Sequence, residues 1–309
     1  MKKRIICGWL ATLLVATTLL SGCGAKEAEA PQEVQESAKV EETPAEDHSD
    51  QIASESETVE AVEVEEEGMQ PIAGIKLKDG TYDIVVDSSS EMFNITSAKL
   101  TVVDGIMSCD MTMGGTGYLY LYNGIPEEAV DADEDDLIPF TEDSEGAHHF
   151  EVPVAALDHA ENYAAFSKKK EKWYGRQLCF RADSLPLEAF VDDMYDTVAS
   201  LEVADGEYLV DVTLTGGSGK ASVDSPAYMW VAGGEATVSL VWSSSNYDYM
   251  VVGGEKYLPV NTDGNSQFDI PVKAFNYRMP VTADTTAMST PHEIAYHITL
   301  DGDSIKEIQ

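Results

Sequence analysis

The densest run of chemistry-bearing residues is Ser167-Lys168-Lys169-Lys170-Glu171-Lys172-Trp173-Tyr174-Gly175-Arg176, with Arg181 beyond it. Six of the fourteen bases carried by residues 71–309 fall at positions 168–181. In a chain with 56 acids against 19 bases, this concentrates positive potential at one loop. Lys168, Lys169, Lys170, Lys172 and Arg176 supply cations for carboxylates, and Trp173 and Tyr174 supply flat faces for stacking. The set reads as a clamp for a flat anionic ligand. The plain alternative is a solvated hairpin tip whose lysines lie among carboxylates. Tyrosines form a second candidate: Tyr118, Tyr120 and Tyr122 alternate and are expected on one strand face, and Tyr247 and Tyr249 repeat the first two. A phenolate can ligate ferric iron and a ring can support a macrocycle; the alternative is sheet core. Met107, Cys109, Met111 and Met113 also alternate, as soft metal ligands or, more simply, as a core stripe.

Signals for catalysis are poor. Gly216-Gly217-Ser218-Gly219-Lys220-Ala221 lacks the opening glycine and the Ser/Thr of a phosphate loop, so it reads as a hairpin turn. His148-His149 and His159 have no zinc-type spacing, and no nucleophile elbow occurs. Asp131, Asp133, Asp135 and Glu142 match some positions of a calcium loop, but Asp136 stands where glycine is required and Pro139 intrudes. That stretch is an exposed acidic loop. The expectation is a binding protein and not an enzyme.

The elements that would position these residues are strands. Asp79-Gly80-Thr81-Tyr82 returns as Asp205-Gly206-Glu207-Tyr208, Ala98–Val102 as Ala227–Val231, Tyr118-Leu119-Tyr120 as Tyr247-Asp248-Tyr249, and Phe150–Val154 as Phe268–Val272. The spacing shortens before the last landmark, so the first copy holds an insertion, assigned to Glu127–Asp136. Short β-branched and aromatic runs separated by Asp104-Gly105, Gly233-Gly234, Gly253-Gly254 and Asp263-Gly264 read as strands and turns. The expected fold class is all-β: two tandem immunoglobulin-like sandwiches, at 71–190 and 201–309, joined by a connector at 191–200, with helix expected near Leu187–Ser200.

The N-terminal region differs in kind. Lys2-Lys3-Arg4, an apolar run from Ile5 to Leu20, and Leu20-Ser21-Gly22-Cys23 resemble a bacterial lipoprotein signal spanning 1–22, with Cys23 as the lipidated residue. The expected location is therefore the outer face of the cell membrane. Residues 24–70 carry 16 acids, two bases and no aromatic residue, and are expected to form, with Cys23, a disordered acidic linker over 23–70. Cys109 and Cys179 then remain for one disulfide or, slightly favoured, two buried thiols. The net charge of −37 excludes general electrostatic binding of nucleic acid.

The Asp-Gly-x-Tyr opening, the Tyr-rich segment, the Phe-x-x-Pro-Val strand and the closing strand together resemble NEAT-type (iron transport-associated) domains, over roughly residues 75–305. The resemblance implies β-sandwich modules on bacterial surface proteins, many of which carry haem. In haem-binding members a Tyr-x-x-x-Tyr on the last hairpin supplies a tyrosine to the iron. Here Tyr174 keeps the first position, with Leu178 at the second, while His292 and Tyr296 keep the spacing in the second copy. The resemblance thus implies haem as a transported ligand, Tyr174 as its iron ligand, and an importer or another surface protein as partner. Two other functions stay open: a structural or adhesive module for a protein or cell-wall partner, and a binder of another small anionic ligand.

Overall fold

The repeated Asp-Gly-x-Tyr has a local physical cause, seen in the computed structural model, which describes residues 49–58, 61–287 and 292–308. Asp79 Oδ1 accepts the Asp104 N–H at 2.9 Å, closing the turn at Asp104-Gly105. Asp205 accepts the Gly233 and Gly234 N–H groups at 3.0 and 3.2 Å. The Tyr82 hydroxyl folds back to donate to the Lys78 carbonyl at 2.9 Å, and the Tyr208 hydroxyl donates to the Ala204 carbonyl at 2.8 Å. Glycine makes room for that fold: a Cβ on Gly80 would lie 2.9 Å from the Tyr82 hydroxyl. Four residues thus set a turn, a close approach and a hydroxyl anchor, twice.

The first half contains β1 (Gly80–Asp83), β2 (Val86–Ser88), β3 (Ile95–Val103), β4 (Ile106–Met113), β5 (Tyr118–Asn123), β6 (Ile138–Pro139), β7 (Thr141–Glu142), β8 (His148–Val154), β9 (Ala160–Ser167) and β10 (Lys172–Phe180). The second contains β11 (Gly206–Val210), β12 (Val212–Gly216), β13 (Ala227–Ala232), β14 (Glu235–Val241), β15 (Tyr247–Val252), β16 (Glu255–Tyr257), β17 (Gln267–Val272), β18 (Met279–Thr285), β19 (His292–Leu300) and β20 (Lys306–Glu307). They form four antiparallel sheets of five strands: β1-β3-β4-β8-β7, β2-β10-β9-β5-β6, β20-β11-β13-β14-β17 and β12-β19-β18-β15-β16. Ala98–Val102 in β3 and Ala227–Val231 in β13 occupy the same place in their sheets, between the opening strand and the next hairpin partner. Asp104-Gly105 and Gly233-Gly234 all have positive φ, as two-residue turns between right-twisted strands require.

Inward residues close each pair of sheets. Leu100, Cys109, Met111, Phe150 and Val152 are fully buried in the first half, and Met229, Val238, Leu240, Phe268 and Ile270 in the second. The Met107–Met113 stripe is therefore core, with Cys109 a free thiol inside it. Residues 124–137 join β5 to β6, where Gly253-Gly254 alone join β15 to β16, so the insertion lies where the repeat spacing put it. It carries α1 (Pro126–Ala129), the single α-helix among the described residues.

Two expectations need correction. The helix expected near Leu187–Ser200 is a single 3-10 turn at Leu187–Ala189 with no α-helix, and strand-like pairing of Asp196 with Phe275 ties the connector 191–200 to the second half. The segment before residue 71 is not wholly a free linker. Residues 61–69 lie against the first half, with Val64 and Met69 buried on Cys179, Glu65 accepting the Ala160 N–H at 2.7 Å, and Glu66 paired with Arg181 at 2.6 Å. Average composition misses this because two apolar anchors and a few matched acids are enough to seat an extended chain. The signal region and Cys23 lie outside the described residues, and no helix among the described residues is long and apolar enough to cross a membrane.

Candidate functional site

Alternation along β10 separates the two aromatic residues of the basic run. Tyr174 and Arg176 share a face with Leu178 and Phe180, which belong to the main core. Trp173 is on the other face, packed with Ala129, Ala164 and Phe166 beneath α1. The two rings do not form one clamp.

The tyrosine alternation is also broken. The β5–β9 ladder shifts register between Tyr118 and Tyr120, and the β15–β18 ladder shifts between Tyr247 and Tyr249. A bulge adds one residue to a strand and resets which face the next side chain takes. Tyr118 therefore packs on Phe93 with ring centroids 5.3 Å apart, while Tyr120 joins the Trp173 cluster. Tyr247 is buried, while Tyr249 donates to Glu293 at 2.8 Å and lies under the Lys256 ammonium.

What the first half brings together is a cleft of about 380 Å³ lined by Tyr118, Tyr174, Arg176, Met92, Lys169 and Lys170, with Ser90 and Glu57 at its edge. Its volume falls in the range of small-molecule sites. The Tyr118 oxygen accepts from Arg176 Nη2 at 3.1 Å, and its hydroxyl reaches the Met92 carbonyl at 3.4 Å. Lys168 anchors the hairpin through its backbone N–H, which donates to the Gly117 carbonyl at 2.9 Å. Lys172 is engaged by Glu57 at 2.8 Å, and the Lys172 ammonium with the Ser54 donors holds the Glu57 carboxyl down at about 2. Arg181 is not part of this basic surface: at the far end of β10 it binds Glu66, Asp87 and Asp183. Ser90, Met92 and Phe93 come from the bend between β2 and β3, and their sequence carried no periodic signal.

In the second half the equivalent positions carry different side chains. Phe180 pairs with Val86, and Leu300 with Val212, each at the start of the second strand of its half. Counting back from there, Tyr174 corresponds to Ile294, Arg176 to Tyr296 and Lys172 to His292, so His292 is not the counterpart of Tyr174. Tyr296 and Tyr247 point their hydroxyls at each other at 3.2 Å and pack on Trp242, filling the space. Burial first, then the Tyr247 hydrogen bond, pushes the Tyr296 phenol well above its usual range. His292 is exposed at the start of β19.

A larger cleft of about 550 Å³ lies between residues 183–187 and the second half, lined by Leu185, Pro186, Leu187, Tyr277 and Met279 among others. Tyr277 is committed there to an edge-on contact with Phe190 at 5.5 Å, and Lys273 is exposed. Asp183, Glu255 and Lys273 also line it, but Asp183 is already bound by Arg181, Arg278 and His297, so the Tyr174 cleft, where two phenols and two lysines converge, is the stronger candidate. No cluster of metal-ligating side chains occurs among the described residues, and Asp131–Asp136 form an acidic loop on the surface. Compared with known proteins, the chain matches no protein family, and no curated protein matches it in sequence.

Proposed function

We propose that the chain is a lipid-anchored surface protein built from two tandem NEAT-like, immunoglobulin-like sandwiches, and that the first of them binds a flat, anionic, iron-bearing ligand of the haem class. It captures that ligand outside the cell and passes it to an importer or another surface protein. The observation that carries this reading is the convergence of two phenols, Tyr118 and Tyr174, with Lys169, Lys170 and Met92 around one cleft. Tyr174 on the final hairpin is the iron ligand, the rings and Met92 hold the macrocycle, and the lysines meet its carboxylates. The second sandwich, its equivalent space filled by Trp242, Tyr247 and Tyr296, serves as spacer or partner-docking module.

Haemin titration of the full chain, followed by its Soret absorption, tests this. One saturable site is expected, weakened by about tenfold or more and spectrally altered in Tyr174→Phe, and unchanged in Tyr249→Phe. Absence of saturable binding, or an unaltered spectrum in Tyr174→Phe, overturns the assignment.

A further inference from the structure

Among the described residues three arginine side chains are largely buried, and two of them are compensated. The Arg181 and Arg278 side chains are 11% and 10% exposed, and each binds carboxylates: Arg181 those of Glu66, Asp87 and Asp183, Arg278 those of Glu66 and Asp183. Arg176 is buried too, 8% exposed as a whole residue. Among the described residues no carboxylate pairs with it. Nη1 donates to the Gly175 carbonyl at 2.7 Å and Nη2 to the Tyr118 hydroxyl at 3.1 Å, both neutral acceptors, and Nε has no partner. Two π-faces lie near it: the guanidinium is 5.2 Å from the Tyr174 ring centroid and 6.0 Å from that of Tyr118.

An unpaired buried charge is costly, and in a chain with 56 acids a counter-charge would be easy to supply. The one acid lining the cleft, Glu57, is turned to Lys172 instead. We infer that Arg176 is the anion-recognition residue of this cleft, and that the cleft selects planar aromatic molecules bearing a carboxylate. The planar body lies against Tyr118, Tyr174 and Met92; the carboxylate takes N–H groups of the guanidinium fork, which has five donors and uses two. The lysines at the hairpin tip steer the ligand, while Arg176 discriminates acid from neutral analogue, because its charge is desolvated and theirs is not. This deepens the proposed function by resting on the same cleft, but it does not require iron.

The test uses the full chain labelled with ¹⁵N-arginine, titrated with 1-naphthoate and with its neutral analogue 1-naphthalenemethanol. The Arg176 Nε–Hε resonance should move with the acid only, and the acid should bind at least tenfold more tightly. Arg176→Met should abolish that preference while keeping or raising the melting temperature, since it removes an uncompensated charge; a structural arginine would lower it. Arg176→Lys should retain a weakened preference for the acid and serves if the Met variant does not fold. Equal binding of acid and alcohol, binding of neither, or an acid preference that survives in Arg176→Met overturns the inference. Naphthoate binding that persists in Tyr174→Phe, with haemin lost, separates it from the iron reading.

Discussion

Asp158 is the acidic counterpart of Arg176, a buried charge that the fold tolerates without an ion pair. It is 7% exposed, sits at φ 51°, and accepts the Ala182 N–H at 2.8 Å. Burial pushes its carboxyl up to about 6, against which the Ala182 hydrogen bond works only in part. The folded value lies above the ordinary 3.8, so folding favours the protonated form. Stability is then lost as pH rises from about 4 through 6 and stays reduced above, by about 3 kcal/mol at most for a shift of this size. Asn fits the left-handed backbone and keeps an acceptor for Ala182. Asp158→Asn should raise the melting temperature at pH 7.5, with the gain shrinking to nothing at pH 4. A variant less stable than the wild type at pH 7.5 would contradict the argument.

At the scale of elements, two devices reshape what the sequence alone suggests. The paired bulges in β5 and β15 invert tyrosine facing in both halves, and their cause is an extra residue in a ladder whose partner strand lies far along the chain. Alternation, the rule that identifies strands, cannot reveal where it fails. The strap at 61–69 is the second device. It lays Val64 and Met69 over the outer face of β10, with the Met69 sulfur 4.0 Å from Cys179 Sγ. Burial pushes both free thiols up to about 12, but for different reasons of place: Cys109 is inside the sandwich, and Cys179 is under the strap. In a chain beginning at residue 49, neither thiol should react with a disulfide reagent at pH 8. In a chain beginning at residue 71, Cys179 should react quickly while Cys109 stays protected, as mapped by peptide mass. Equal protection of both thiols in the shorter chain would show that the strap does not cover Cys179.

Across the whole molecule, local rules were the legible ones. Asp-Gly-x-Tyr, the two-residue turns and the Phe-x-x-Pro-Val strands could be read because each is closed within a few residues or repeated in kind. The cleft was half legible: the basic run pointed to Tyr174 and Arg176, while Ser90 and Met92 arrive from a bend with no pattern of its own. Illegible altogether was the junction of the two halves, because its members are single residues from distant strands. Asp183, after β10, receives Arg181 at 2.7 Å, Arg278 at 3.2 Å and His297 at 2.6 Å, and Glu66 of the strap closes the same network. Burial alone would raise the Asp183 carboxyl, but the bonds from His297 and Arg181 outweigh it and hold the group well below the usual carboxylate range. A depressed carboxyl contributes stability that is present above its unfolded value of 3.8 and is lost as pH falls toward the folded one. Asp183→Asn leaves two guanidinium groups with one fewer buried counter-charge and should cost about 3 kcal/mol at neutral pH. Because the contacts of Asp183 reach Arg278, just before β18, and His297 in β19, the loss should fall on the coupling of the halves more than on either core. Calorimetry should therefore resolve a single wild-type transition at pH 7 into two in the variant, with the difference between the two proteins narrowing below pH 4. A single, barely shifted transition in Asp183→Asn would mean that the halves are held together by the apolar seam around Phe190 and Tyr277 instead.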